Sequence, residues 1–136
     1  MKSITALVLT LFITTSVFGQ DKMKHFGKKI YLDKMPITLN TAAFMAFEVS
    51  TASYTHIKKA QRLRNWNYFW AVIGGYELGA GLATVAGGGS DSQIAWLDVG
   101  IGAVCIGIIP GREERYKMHL REAVELYNDA LELPEN

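Results

Sequence analysis

Trp66 to Pro110 reads WNYFWAVIGGYELGAGLATVAGGGSDSQIAWLDVGIGAVCIGIIP, and this stretch decides the fold. It holds two glycine-rich apolar runs joined by a polar linker, Gly87 to Gln93. The first run, Tyr68 to Gly88, matches the roughly 20 residues a helix needs to cross a hydrocarbon core, and the second, Ile94 to Pro110, sits near the lower limit of roughly 17. Small residues recur at every fourth position: Gly75, Gly79, Ala83 and Gly87 in the first, Ala103, Gly107 and Gly111 in the second. On a helix that spacing makes a flat groove in which two backbones approach closely. In water each glycine would cost a helix about 0.8–1 kcal/mol relative to alanine. In lipid the backbone has no other partner, so the helix holds. Trp66, Tyr68, Phe69 and Trp70 mark one interface and Trp96 the other. The alternative is a buried helical pair in a soluble domain, because Glu77 and Asp98 lower the hydropathy of both runs.

Outward from the hairpin, both flanks read as amphipathic helices. Residues 40–65 form one helix capped by Asn40 or Thr41, with Ala43, Phe47, Tyr54 and Ile57 near one face. It ends in a basic cluster, Lys58, Lys59, Arg62 and Arg64, which reads as a collar facing lipid headgroups. Pro110-Gly111 closes the second apolar run, and residues 111–136 form the last helix. There Tyr116, Leu120, Val124, Tyr127 and Leu131 make one apolar stripe. A hairpin returns its flanks to the same side, so this stripe should pack on the helix that precedes the hairpin, or on a second copy. Arg112, Arg115 and Lys117 extend the collar.

The amino terminus has the order of a secretory signal: Lys2, an apolar core from Ile4 to Ile13, and the exit Val17-Phe18-Gly19. The expected domains are therefore a signal peptide (1–19), a polar tail with a short extended segment (20–39), a basic-ended helix (40–65), a transmembrane hairpin (66–110) and a C-terminal helix (111–136). The fold class is all-α, a membrane helical hairpin flanked by two amphipathic helices. The chain has 136 residues, room for one domain, and a net charge of +1 gives no bulk attraction to nucleic acid. Two topology signals conflict. The collar on both flanks, against the single Asp91 in the linker, puts the flanks in the cytoplasm by the positive-inside rule, whereas an export signal puts them on the far side. The export signal is the better formed, and which membrane is involved stays open.

Glu77 and Asp98 are the sharpest hints of chemistry, since an ionisable group at membrane depth is expensive. They are read either as structural, bonded to Thr84, Tyr76 or a neighbouring chain, or as part of a proton or cation path. A glycine-packed hairpin with a buried carboxylate is similar to the rotor-ring subunit of rotary ATP synthases. The GGGSDSQ loop and the long charged flanks depart from that pattern, so nothing is carried over. Gly87 to Ser90 lacks the Gly-Lys-Ser/Thr ending of a phosphate loop. His25, His56 and His119 stand singly; His119 and Glu122 share a helix face but lack a third ligand in the sequence, so no metal site is expected. Cys105 is the only cysteine and reads as an inert buried thiol. No catalytic constellation, cofactor or small-molecule substrate is inferred.

The order of elements resembles a type of small, uncharacterised envelope protein frequent in Bacteroidota. The resemblance rests on the export signal, Ile30-Tyr31-Leu32-Asp33, the basic-ended helix, the glycine-rich pair and the closing Ala123-Val124-Glu125-Leu126-Tyr127-Asn128. It implies envelope location and no activity. The expected function is a non-enzymatic membrane protein of the envelope that contacts lipid. It self-associates or joins a membrane complex through Gly75, Gly79, Ala83, Gly87, Ala103 and Gly107. Two alternatives stand beside it: an ion- or proton-conducting oligomer using Glu77, and a soluble periplasmic helical adaptor.

Overall fold

A computed structural model describes residues 21–87 and 92–132, so the signal segment (1–19) and the middle of the linker (88–91) lie outside the described residues. The chain is all-α with one small sheet. Residues 23–37, expected as a polar tail with one extended piece, form an antiparallel meander of β1 (Met23–Phe26), β2 (Lys29–Leu32) and β3 (Met35–Ile37), in the order β1-β2-β3. Phe26 pairs with Lys29 across a turn in which Gly27 has φ +61°, and Leu32 pairs with Met35 across Asp33-Lys34. Pro36 can sit in β3 because that strand is an edge.

Asp33 and Lys34 both have positive φ, 42° and 75°, as a tight two-residue hairpin turn requires. A side chain in the left-handed region is strained at the level of 1–2 kcal/mol, which glycine escapes. Lys34→Gly is therefore expected to stabilise the sheet by about 1 kcal/mol, read as slower amide exchange in β2 and β3. Faster exchange would mean that the lysine side chain holds the turn.

The helices begin at α1 (Leu39–Val49), where the Thr38 hydroxyl accepts the Thr41 N–H at 3.1 Å. This cap lies just ahead of the Asn40 or Thr41 read from the sequence. The single helix expected over 40–65 is in fact divided. Ser50 is extended, and its hydroxyl accepts the Ser53 N–H at 3.3 Å, ending α1 and capping α2. From there α2 (Thr51–Ala86) runs 36 residues, about 54 Å, with no break at the expected boundary of 65 and 66. The return path is α3 (Ser92–Gly107) and α4 (Ile109–Glu132). The break falls at Ile108, and Pro110 occupies the first turn of α4, where its missing N–H costs nothing. Backbone bonds still bridge the joint, Ile108 N to Val104 O at 3.2 Å and Arg112 N to Ile108 O at 3.4 Å. The joint is thus a kink between two helices that continue one path.

Helix α2 is the spine: α4 lies along its first half and α3 along its second. The apolar core sits at the first end, here called the head. It gathers Met23, Ile30, Leu39, Ile57, Leu120, Val124 and Tyr127, with Ala42, Ala43, Ala46, Ala60 and Ala123 letting the backbones close up. The stripe expected on α4 is thus buried from Tyr116 to Tyr127, against α1, α2 and the sheet, with Leu131 half-buried at its edge. Polar bonds complete the seam. Buried Ser53 donates its hydroxyl proton to Ala123 O at 2.7 Å. Asn128 grips β1 from both sides, accepting from Met23 N at 2.9 Å and donating to Met23 O at 2.8 Å.

Candidate membrane-embedded site and its basic collar

Beyond the head the molecule is built the other way round, with apolar groups outside. Among the described residues Val72, Tyr76, Leu97 and Val104 are each at least 64% exposed, and Leu82, Ile94, Trp96, Ile101, Ile106 and Ile108 are exposed as well. Helix α2 and the continuous path of α3 and α4 over Gln93–Glu132 are each long and apolar enough to cross a membrane, and they bury only 11% and 17% of their most apolar 18-residue stretches. A core helix of a soluble domain buries most of such a stretch. Trp66, Phe69 and Trp70 cluster at the head end of this surface, with Trp66 and Phe69 edge to face at 5.3 Å between ring centres.

The seam between α2 and α3 differs in detail from the stripe of small residues read in the sequence. It is made by Gly74, Leu78 and Gly81 against Ala95, Val99, Gly102 and Cys105. A Cβ at Gly81 would lie 2.7 Å from Ala95 O, and one at Gly102 would lie 2.6 Å from Leu78 N and 2.8 Å from Gly74 O. Backbone touches backbone at these points. By contrast, a Cβ at Gly75, Gly79 or Gly107 meets nothing within 4 Å, and Ala83 and Ala103 are exposed. Gly87, at the end of α2, would place a Cβ against Ala83 O of its own helix at 3.3 Å. The Gly75-Gly79-Ala83 face therefore lies open on the outside of the hairpin and plays no part in closing it.

Glu77 and Asp98 are half-buried, flanking the seam on their respective helices. The Thr84 hydroxyl expected as a partner donates instead to Ala80 O of its own helix at 3.0 Å. All ion pairs of the described residues lie outside the hairpin.

The collar is more organised than its sequence implies. Arg112 donates from Nε to Asn67 Oδ1 at 3.0 Å, tying the start of α4 to α2 below the tryptophans. Lys58 lies over the Tyr54 ring at 5.5 Å, while Lys59, Arg62 and Arg115 are exposed. Lys117 pairs with Glu114 at 2.8 Å. The folded sheet adds two cations that the sequence had left in a tail. Lys28 and Lys29, with Arg64, Asn67, Tyr68 and Tyr116, line a cleft of about 440 Å³ at the boundary between head and hairpin. The sheet's turn is held there by Tyr116, whose hydroxyl donates to Lys28 O at 3.0 Å, and by Lys28 to Glu113 at 2.7 Å. Basic and phenolic groups here line the cleft together with the carboxylate of Glu113 and the apolar side chains of Ala71 and Ile109.

The Lys28 hydrogen bond is the main influence holding the Glu113 carboxyl below its ordinary value of 4.5, opposed by a smaller effect of burial. A carboxylate whose pKa is lower folded than unfolded stabilises the fold above the unfolded value and stops doing so as pH falls through the folded one. The turn at Gly27-Lys28 is therefore expected to loosen as pH falls below the ordinary carboxylate value and through the lowered folded one, seen as faster amide exchange at Lys28 and Lys29. Glu113→Gln should abolish that pH dependence; persistence in the variant would assign the effect elsewhere.

One further grouping could not be read from the sequence. His56 of α2 meets His119 and Glu122 of α4 in the head, where the sequence had placed each histidine alone. Comparison of the chain with family models, with curated proteins and with solved structures gives no match.

Proposed function

We propose that this chain is a non-enzymatic accessory protein of the cell envelope, exported and then held in a membrane by its α2–α3 hairpin. It associates with further copies, or with a larger membrane complex, through the open Gly75-Gly79-Ala83 face. The observation that carries the reading is the outer surface of the hairpin: a continuous apolar band that the chain's own fold leaves uncovered. Large exposed apolar surfaces mark membrane or partner contact. On α2 it contains a glycine face that the hairpin itself does not use, the kind of surface by which lipid-embedded helices associate. The collar and the cleft at Lys28, Lys29 and Arg64 sit where headgroups would lie, and they support contact with anionic lipid.

The test is fractionation of inner and outer membranes with an alkaline carbonate wash, followed by sizing of the protein in mild detergent. Retention through the wash, with an oligomer that Gly79→Leu converts to monomer, is the expected result. Release by carbonate would remove the membrane reading. Retention with unchanged size in Gly79→Leu would keep the membrane and remove the glycine face as the contact.

A further inference from the structure

We propose that His56, His119 and Glu122 form a binding site for a late first-row divalent cation, zinc foremost, clasping α2 to α4 in the head. The site goes beyond the membrane reading and does not depend on it. His56 stands in the second turn of α2, and His119 and Glu122 stand one turn apart on α4. Their donor atoms converge: His56 Nδ1 to His119 Nδ1 is 3.3 Å, His119 Nδ1 to Glu122 Oε2 is 3.4 Å, and His56 Nδ1 to Glu122 Oε2 is 2.7 Å. In a tetrahedral zinc site with bonds of about 2.0–2.1 Å, neighbouring donor atoms are about 3.3 Å apart. Two of the three edges already have that length. The third opens by rotation of Glu122, whose side chain is 36% exposed and free to turn.

Without a cation, the triangle is held by N–H donation toward Glu122 Oε2. With the Nδ1 tautomer on both rings, the two N–H groups share Glu122 Oε2 as acceptor; with the Nε2 tautomer, both Nδ1 lone pairs point to the same place as the carboxylate. A cation at the centre accepts all three lone pairs at once. The rings meet edge to face, 72° apart, so the two nitrogens approach one point from different directions. The side chains of His56 and His119 are 24% and 18% exposed, which leaves a path for the ion and a fourth position for water. Two imidazoles and one carboxylate select zinc and its neighbours over magnesium or calcium, which need oxygen sets.

The experiment is titration of full-length mature protein, purified in detergent without a histidine tag, with zinc chloride by calorimetry and with cobalt chloride by visible absorption. One ion per chain is expected, with a tetrahedral cobalt spectrum and a zinc-dependent rise in the melting temperature. His119→Gln and Glu122→Gln should each weaken binding at least about a hundredfold, and His25→Gln, on β1, should leave it unchanged. X-ray absorption of the zinc-loaded wild type needs no variant and should show two imidazole nitrogens per zinc. No saturable binding by the folded wild type would overturn the proposal. So would fewer than two imidazoles in the absorption spectrum, or binding of unchanged strength in a folded His56→Gln/His119→Gln protein.

Discussion

Gly102→Leu is expected to open the hairpin. Even a methyl at this position would stand 2.6 Å from Leu78 N and 2.8 Å from Gly74 O, and both are main-chain atoms of a helix that cannot give way locally. The isobutyl group must push α3 off α2 along the seam. Overpacking a tight contact costs about 1–3 kcal/mol where side chains can rearrange, and here only backbone is available to move, so the upper end of that range is the floor. Gly79→Leu adds the same group on the open face, where the Cβ itself meets nothing within 4 Å. The pair of variants separates closing the hairpin from joining copies. In detergent, Gly102→Leu should lose thermal stability and amide protection from Gly74 to Gly81, while Gly79→Leu should keep that protection within the hairpin and change the oligomer size. Equal melting of Gly102→Leu and the wild type would show that the seam runs along another face.

Leu120→Ala should do the reverse, melting the head and sparing the hairpin. Leu120 is fully buried in the cluster with Met23, Ile30, Ile57 and Tyr127, where α4, α2 and the sheet meet. Truncating a buried leucine costs about 2–5 kcal/mol, the spread reflecting how far the cavity collapses. The small residues lining this core, Ala42, Ala43, Ala46, Ala60 and Ala123, already hold the backbones close, so little collapse remains and the cost lies in the upper half of that range. Chemical denaturation followed by amide exchange should show β1, α1 and the first half of α2 losing protection while Gly74 to Gly81 keep theirs. Loss of protection in both regions together would mean that head and hairpin unfold as one unit.

The hairpin and the buried stripe of α4 were legible because each rests on periodicity and composition, which are properties of one segment. The seam was not. Gly74 and Gly75 are adjacent, so the sequence offers two glycine faces about 100° apart, and only the side chains of the partner choose between them. Leu78 fits over Gly102, and Val99 fits over Gly81. Ser50 carried a readable signal, since a serine can cap a helix by accepting the N–H three residues on, but helix-compatible residues on both sides concealed the break. The sheet had its turn residues in Gly27 and Asp33, yet its strands are so short that only their docking on Tyr116 and Asn128 makes them strands. The histidine pair is 63 residues apart in sequence, and contact over that distance is a product of the fold alone.

Helix α2 runs unbroken from Thr51 to Ala86 past Trp66 and Trp70, so the head and the hairpin share one helix. A helix crossing a bilayer can answer a change in thickness by tilting, within an observed range of about 0–40° and an average of about 20° from the bilayer normal. With no joint at the boundary, the arm from Trp66 back to Thr51, about 23 Å, would swing its far end by about 8 Å for that tilt. In a hairpin held in a membrane as proposed, motion in the lipid would reach the head as displacement of α1 and the sheet.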